Sequence, residues 1–570
     1  MNPLENGIFD LASIAHDVAL NDPARIAVVE PAGRGPSGVR RYRRYTYREL
    51  SADVEAVAPG LREIGIAEGT RTVFMSPPSY ETCVIGLALS RVGATLVLID
   101  PSVGYRNVAE RLRRIEPEAF VGIPVAHLGR LAFGWGPRTL RKLVVTGTPG
   151  FPGAHTVQSL RRKAPDTPVP PAISPDDPAA IMYTTGSTGP AKPSYYQHRH
   201  FAAVCRQVHQ SWRFDPKREI PVDMPVFPAF FFIALSAGGT VVVPPIDFVR
   251  QGPAKANPAA LVEVINDCGV RSLFGSPVLL ENLATHAVRN GLRMPTLKRV
   301  IGGGAPIVAS LVKPMLDVMG EGGDVVSNYG STEALPSTEM SGREMLKETW
   351  KETGQGAGIC VGRPFDGTDL MIIRIVDGPL ESMDAAEILG PGETGEILIR
   401  GAHVSPAYFR DLDSTRKNKI PDGQGGVWHR IGDAGYLDAQ GRLWYCGRAG
   451  QRVKAAGGPL FSLQCEPIFD THPKVRRSGL VGVAVNGQEI PVICVELKAG
   501  FHRDELPEIR KELLDLAARH PVTRPIRQVL FKRRLPVDPR HNSKIERPAL
   551  ALWAASQISR AAAPGLASAA

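Results

Sequence analysis

The chain has 570 residues, 43% of them hydrophobic and 22% charged, which is too apolar for a disordered chain and enough for roughly two to four compact cores. The net charge of +10 suits an anionic ligand or an acidic partner without specifying either. Seven cysteines (83, 205, 268, 360, 446, 465, 494) are scattered and odd in number and contain no Cys-x-x-Cys, so a disulfide framework and a zinc site are excluded in favour of reduced core thiols in a cytoplasmic protein.

No basic stretch followed by an apolar run opens the chain, and no secretory signal is expected. Arg40-Arg41-Tyr42-Arg43-Arg44-Tyr45 mixes cations and aromatics, but its period-2 alternation reads as a charged edge strand and not as a nucleic-acid patch. Thr46-Tyr47-Arg48-Glu49 has the form of a capping box. It precedes an apolar helical stripe at Leu50, Val54, Val57, Leu61 and Ile64, with Pro59 predicting a kink. Thr72 to Met75 and Thr95 to Ile99 read as buried strands flanking a helix from Glu81 to Val92. The alternation continues past Phe120 and Leu143, which predicts α/β architecture with largely parallel sheets. Pro149 to Pro178 reads as a connecting segment.

Ile181-Met182-Tyr183 looks like the end of a buried strand, placing the following loop at a sheet's edge. That loop is Thr184-Thr185-Gly186-Ser187-Thr188-Gly189-Pro190-Ala191-Lys192. Hydroxyls, flexible glycines and a lysine in this order suit phosphate oxygens. Gly186 and Gly189 are only three apart and no Gly-Lys-Ser/Thr follows, so it is not a Walker A loop.

A helix from Phe201 to Trp212 leads to Phe227–Val243, the most apolar stretch. It holds Pro228 and Gly238-Gly239 and is short for a membrane span, so it reads as core or pocket wall. Helix and strand alternate again from Pro258 to Tyr329. Polar, lysine-rich Met340 to Gly358 reads as a surface insertion, and strands follow at Leu370–Ile375, Glu396–Ile399, Trp428–Tyr436 and Leu443–Cys446. From Gly447 the pattern resets. Strands Gly479–Val485, Pro491–Leu497 and Gln528–Phe531 and a helix through Leu506, Ile509, Leu513 and Leu516 predict a small α+β domain. The tail from Ser556 shows no organised apolar face and reads as disordered.

The expected layout is α/β: a large N-terminal domain over 1–446 with α/β subdomains over 1–180 and 181–335 and a β-rich subdomain over 336–446. A small α+β domain over 447–555 and a tail over 556–570 follow.

The loop Thr184–Lys192 resembles the signature loop of the adenylate-forming (AMP-binding) ligases, which include acyl-CoA synthetases, luciferases and adenylation domains. Further segments stand in the order that family requires. Gly302-Gly303-Gly304-Ala305-Pro306 resembles the loop lying along adenine, and Tyr329-Gly330-Ser331-Thr332-Glu333 resembles the aromatic-Gly-x-Thr-Glu motif. There the resemblance implies that Tyr329 stacks on adenine, Thr332 reaches the α-phosphate and Glu333 holds Mg²⁺. Gly432-Asp433 resembles the ribose-binding motif and Gly447-Arg448 the start of the hinge motif, whose arginine also reaches the nucleotide. Lys544 resembles the catalytic lysine of a mobile C-terminal domain, bridging carboxylate and phosphate. ATP and Mg²⁺ are the implied cofactors, with Lys192 and the signature loop holding the β- and γ-phosphates.

Longer strings narrow the likeness, among them Gly330-Ser-Thr-Glu-Ala-Leu-Pro336, Trp428-His-Arg-Ile-Gly-Asp433, Arg442-Leu-Trp-Tyr-Cys-Gly-Arg448 and Pro536-Val-Asp-Pro-Arg-His-Asn-Ser-Lys544. They resemble the β-lactone synthetases of long-chain olefin biosynthesis over roughly Asp10 to Ala555. The implied substrate is a 2-alkyl-3-hydroxy fatty acid, activated as its acyl-AMP and closed by its own hydroxyl. The implied partners are a thiolase, a reductase and a lactone decarboxylase. Pro228-Ala229-Phe230-Phe231 matches the Pro-x-Phe-His segment at the acyl site of many acyl-CoA synthetases, with phenylalanine in place of the histidine, which fits a greasy pocket lined by Phe230 and Phe231. His198, His200 and His429 are candidates for the base that takes the hydroxyl proton, each also readable as structural. Three departures are visible: Pro193-Ser194 for the usual Gly-Val, Ala191 for the usual proline and Gln451 at the hinge. They leave room for a family member with another hydroxy-acid substrate or for a nucleotide-binding scaffold of weak activity, and an acyl-CoA or acyl-carrier-protein ligase stands as the alternative reading.

Overall fold

The structure, a computed structural model, describes residues 11–99, 104–136, 138–163, 173–184, 191–214, 219–485, 487–537 and 545–562. Thr185, Gly186, Ser187, Thr188, Gly189 and Lys544, all named above, lie outside the described residues. The chain divides into two compact units, one of residues 1–339, 365–368 and 400–429, the other of residues 340–364, 369–399 and 430–570.

In the first unit the α/β alternation produces two sheets. One runs Ala407–Tyr408, Pro193–Gln197, Pro178–Tyr183, Thr95–Leu98, Arg71–Met75, Ala119–Gly122, Lys142–Val145 and His155–Thr156 in spatial order. From Pro178–Tyr183 to His155–Thr156 every pairing is parallel, and the other two strands join antiparallel. The strand before the signature loop is therefore internal, and the loop leaves from its end and not from the sheet's edge. Short, fully apolar strands such as Ala119–Gly122 are buried along their whole length, as a sheet covered on both faces requires.

The second sheet orders Asp324–Ser331, Arg299–Gly302, Ser272–Gly275, Val222–Pro225, Thr240–Val242, Ile26–Arg34 and Arg40–Thr46. The basic segment is the outermost strand, as its charge alternation predicts, and Tyr42 donates to Asp267 at 2.7 Å. Thr46 and Glu49 form the expected capping box on helix Tyr47–Glu63, which continues through Pro59. Phe227–Val243 holds the buried helix Phe231–Ser236 and strand Thr240–Val242, and no described helix is long and apolar enough to cross a membrane.

In the second unit, residues 395–399 and 430–437, Leu443–Arg448 and Ile359–Pro364 are neighbouring strand segments, and Val475–Val485, Gln488–Leu497 and Gln528–Phe531 form a separate three-stranded sheet. Helix Leu506–Arg519 buries Ile509, Leu513 and Ala517 against it.

Three expectations gain detail. Met340–Gly358, expected as a surface insertion, is ordered: residues 342–353 are helical and bury Met345, Thr349 and Thr353. The threonines, polar by type, follow the methionine at successive four-residue steps and so complete an inward stripe. Of the stretch from Ser556 that reads as a disordered tail, residues 556–562 are the end of helix Arg547–Ala562. Leu550 and Ala554 are buried on one face of that helix and Ile558 packs beside them. The connecting segment 149–178 contributes the short strand His155–Thr156 to the first sheet.

Candidate active site

The first unit gathers a buried polar cluster around Glu333. Strand Asp324–Ser331 turns into Ala334–Ser341, and Tyr329 to Glu333 occupy its end and the turn. Gly330 is required there, since a Cβ would run into the Ala334 carbonyl. The Glu333 backbone N–H donates to Ser331 Oγ at 3.3 Å, and the Ser405 N–H donates to the Glu333 carbonyl at 2.8 Å. Tyr408 donates its hydroxyl proton to Glu333 Oε1 at 2.6 Å, while the Tyr196 hydroxyl donates to the Thr332 carbonyl. The Thr332–Glu333 turn is thus held by strands Pro193–Gln197 and Ala407–Tyr408 and by Ser405 just before the latter.

Glu333 is 7% exposed. Burial alone would raise its pKa, but the neighbouring His429 and Lys419 and the hydrogen bonds from Tyr408 and Ser331 outweigh it and hold the carboxyl at about 2. Lys419 is 4% exposed, and burial drives its ammonium down to about 7 against the opposing pull of Glu333. Burial keeps His429 neutral, with a pKa of about 3, so at neutral pH Lys419 is the cation that matters to Glu333. His429 Nδ1 faces the Asn418 carbonyl at 3.1 Å and must carry the proton there, which leaves Nε2, 3.4 Å from Ser331 Oγ, unprotonated.

Lys192 is tied to the same cluster. Thr184 N donates to the Lys192 carbonyl at 3.0 Å and Lys192 N to Thr184 Oγ1 at 3.0 Å, so the signature loop is closed at its base as a hairpin. Pro193 opens the strand Pro193–Gln197, a position where the missing N–H costs little, and its carbonyl accepts Phe409 N at 2.8 Å. Ser194 pairs in register with Tyr408 and donates to Ser405 Oγ at 2.8 Å, and Lys419 Nζ reaches the same oxygen at 3.4 Å. The departure Pro193-Ser194 therefore builds the hydroxyl link between the strand after Lys192 and the cluster at Glu333. Both ammonium groups lie over the Tyr408 ring, Lys192 at 5.3 Å and Lys419 at 5.7 Å from its centre.

In the same unit Gly304, Ala305 and Pro306 follow strand Arg299–Gly302, and Gly304 has φ +85°. Beside this loop, a Cβ on Gly303 would come within 3.5 Å of Phe274, whose ring stacks on Phe230 at 4.0 Å. Phe231 is buried in the main core, so of the two phenylalanines Phe230 is the more accessible. His200 Nδ1 accepts Gln197 N at 3.3 Å as part of a helix cap, and burial lowers its pKa to about 4. His198 is buried as well.

The second unit places Asp433 and Arg448 opposite each other on antiparallel strands. Arg448 Nη1 lies 2.9 Å from Asp433 Oδ1 and donates to the Ile431 carbonyl at 3.3 Å. The flanking Gly432 and Gly447, at φ +75° and +125°, take backbone conformations that L side chains avoid. Lys544 lies outside the described residues, but the chain on either side is fixed. Val537 bridges Ile545, Glu546 N donates to the Pro536 carbonyl at 2.9 Å, and buried Arg547 pairs with Glu466.

Tyr408, Ser405, Lys419 and Tyr196 are the members of the Glu333 cluster that the sequence reading missed. Each is a single residue in an ordinary local context. The one available signal was Lys419 standing directly before the apolar Ile420 in a strand-like run.

A model of the AMP-binding enzyme family matches residues 16–409. An olefin beta-lactone synthetase of Stenotrophomonas maltophilia (strain K279a) is 38% identical over 559 residues, covering 97% of this chain and 99% of the relative. The olefin beta-lactone synthetase of Xanthomonas campestris pv. campestris is 38% identical over 553 residues, with 96% and 98% covered. Among solved structures, the amide bond synthetase McbA from Marinactinospora thermotolerans superposes with a TM-score of 0.74 at 22% identity, over 95% of this chain and 99% of that one. O-succinylbenzoate coenzyme A synthetase (MenE) from Bacillus subtilis, in complex with ATP and magnesium ion, gives 0.71 at 19% identity, over 94% and 98%. At these identities the two structures speak to the fold alone.

Proposed function

The chain belongs to the AMP-binding enzyme family, the adenylate-forming ligases, and we propose that it converts a 2-alkyl-3-hydroxy fatty acid into a β-lactone with ATP. The observation that carries this reading is the 38% identity to two olefin beta-lactone synthetases over nearly the whole of both chains.

In the first step a carboxylate oxygen attacks the α-phosphorus of ATP, the bond to the β-phosphate oxygen breaks, and pyrophosphate leaves. Two anions must meet and more charge develops on the phosphate oxygens, so the protein's task is positioning and electrostatic stabilisation. Lys192, with Thr184, Thr185, Gly186, Ser187, Thr188 and Gly189, holds the outgoing phosphates. Thr332 reaches the α-phosphate and Lys544 bridges it to the incoming carboxylate. Gly304, Ala305, Pro306, Tyr329, Gly330 and Ser331 form the adenine side of the site. Asp433 takes the ribose hydroxyls, oriented by Arg448.

Glu333 fits the role of an Mg²⁺ ligand: Lys419, Tyr408 and Ser331 keep it ionised, and Mg²⁺ takes one or two carboxylates together with substrate phosphates. Among the described residues no cluster of three or more His, Cys, Asp or Glu stands ready to hold a metal without the nucleotide. When bound, the metal neutralises charge on the phosphates.

In the second step the substrate's 3-hydroxyl oxygen attacks its own acyl carbonyl, AMP departs with the bonding electrons, and the hydroxyl proton is lost. The nucleophile is tethered to the electrophile, so the step needs no thiol acceptor. A direct test is pyrophosphate–ATP exchange. A 2-alkyl-3-hydroxy acid should support it, and no exchange with any carboxylic acid would refute the reading.

A further inference from the structure

Helix Pro124–Ala132 follows strand Ala119–Gly122 in the first unit and turns His127 and Gly129 inward. Its other face is apolar yet open: Val125, Leu128 and Leu131, spaced three apart on one stripe, are 49%, 57% and 62% exposed. Phe133, just beyond the helix, is 44% exposed and stacks on Tyr105, 54% exposed, with ring centres 4.6 Å apart. Trp135 Nε1 donates to the Tyr105 carbonyl at 2.9 Å and pins the two segments together, so the patch is preformed. Scattered exposed apolar residues need no explanation, but five that adjoin on one face do.

The charge around the patch is predominantly positive. From Ala119 to Pro165 the chain contains no Asp or Glu, and it carries Arg130 on the helix and Arg138 and Arg141 shortly after it. Helix Tyr105–Ile115, on the Tyr105 side, has Arg106, Arg111, Arg113 and Arg114 against the single Glu110. The acidic residues after that helix are engaged elsewhere, Glu116 with Arg410 and Glu118 with Arg71 and Lys142. A second copy of this chain would set these cations against themselves, which disfavours a symmetric dimer here. Apolar side chains ringed by cations match instead an anionic interface with an oily interior.

We propose that the face formed by Tyr105, Val125, Leu128, Leu131 and Phe133 docks on an anionic lipid surface. The choice of lipid over an acidic protein rests on the proposed function, because a two-chain fatty acid resides in membranes.

The test is co-sedimentation of the full chain, without substrate, on vesicles of phosphatidylcholine alone and of phosphatidylcholine mixed with phosphatidylglycerol. The bound fraction should be several-fold higher on the mixed vesicles and should fall with added salt. It should be lost in Leu128→Glu/Leu131→Glu and reduced in Arg138→Glu/Arg141→Glu. Pyrophosphate exchange with a short, soluble hydroxy acid should be unchanged in both variants, which separates this proposal from the catalytic one. Absence of binding to the mixed vesicles, or binding that neither variant weakens, overturns it. So would self-association or capture of an acidic protein that Leu128→Glu/Leu131→Glu abolishes while vesicles are ignored.

Discussion

Tyr408 donates a 2.6 Å hydrogen bond to Glu333 Oε1 from a strand seventy-five residues further along the chain. The carboxylate proposed to hold the metal is therefore aimed by a side chain outside its own motif. Removing such an orienting partner typically costs about 10- to 100-fold in metal affinity or activity. Tyr408→Phe should raise the Mg²⁺ concentration needed for half-maximal pyrophosphate exchange by about tenfold. The hydrogen bond to a charged group should also be missed in stability, by about 1.5–3 kcal/mol in urea unfolding. An unchanged Mg²⁺ dependence would detach Tyr408 from the site.

Lys419 gives a pH signature. Its pKa is about 7 in the folded protein, against about 10.4 in an unfolded chain. Between those values the unfolded chain binds a proton that the folded protein lacks, so this residue's contribution to stability rises with pH across that window. Lys419→Met abolishes the effect. The stability of the variant minus that of the parent should therefore fall as pH is raised from about 7 to about 10. A difference that stays flat with pH would show that Lys419 is not desolvated.

For Asp433 and Arg448 the expected loss lies in nucleotide binding. Asp433→Asn keeps the shape but removes the charge facing Arg448 at 2.9 Å. KM for ATP should rise about tenfold with a smaller change in kcat, the pattern of a binding interaction. A fall in kcat at constant KM would assign the pair to the chemical step instead.

The adenylation step should depend on Lys544. Lys544→Ala should lower pyrophosphate exchange by about 100- to 1,000-fold, the range seen when one preorganised charge or donor is removed, while ATP binding by calorimetry persists. Activity equal to the parent's would favour a nucleotide-binding scaffold.

Much of this architecture is written locally. The Thr46–Glu49 cap, the short apolar strands and the helix bearing Ile509 and Leu513 follow from spacing alone. Spacing missed the helical stretch where hydroxylated residues are buried, as at Thr349 and Thr353. The candidate site divides in the same way. Tyr329–Glu333 and Gly432-Asp433 are contiguous strings, whereas Tyr408, Ser405, Lys419 and Tyr196 meet Thr332–Glu333 only because strands distant in sequence become neighbours. Ser194 departs from the family's usual residue, and its partner Ser405 becomes visible only in the structure.

The central claim concerns the fate of the activated acid. Mass spectrometry of the product formed from a 2-alkyl-3-hydroxy acid, ATP and Mg²⁺, with and without coenzyme A, measures it directly. The expected product is neutral and one water lighter than the acid, formed in equal yield whether or not the thiol is present. A coenzyme A thioester, or a product that appears only when the thiol is added, would contradict it.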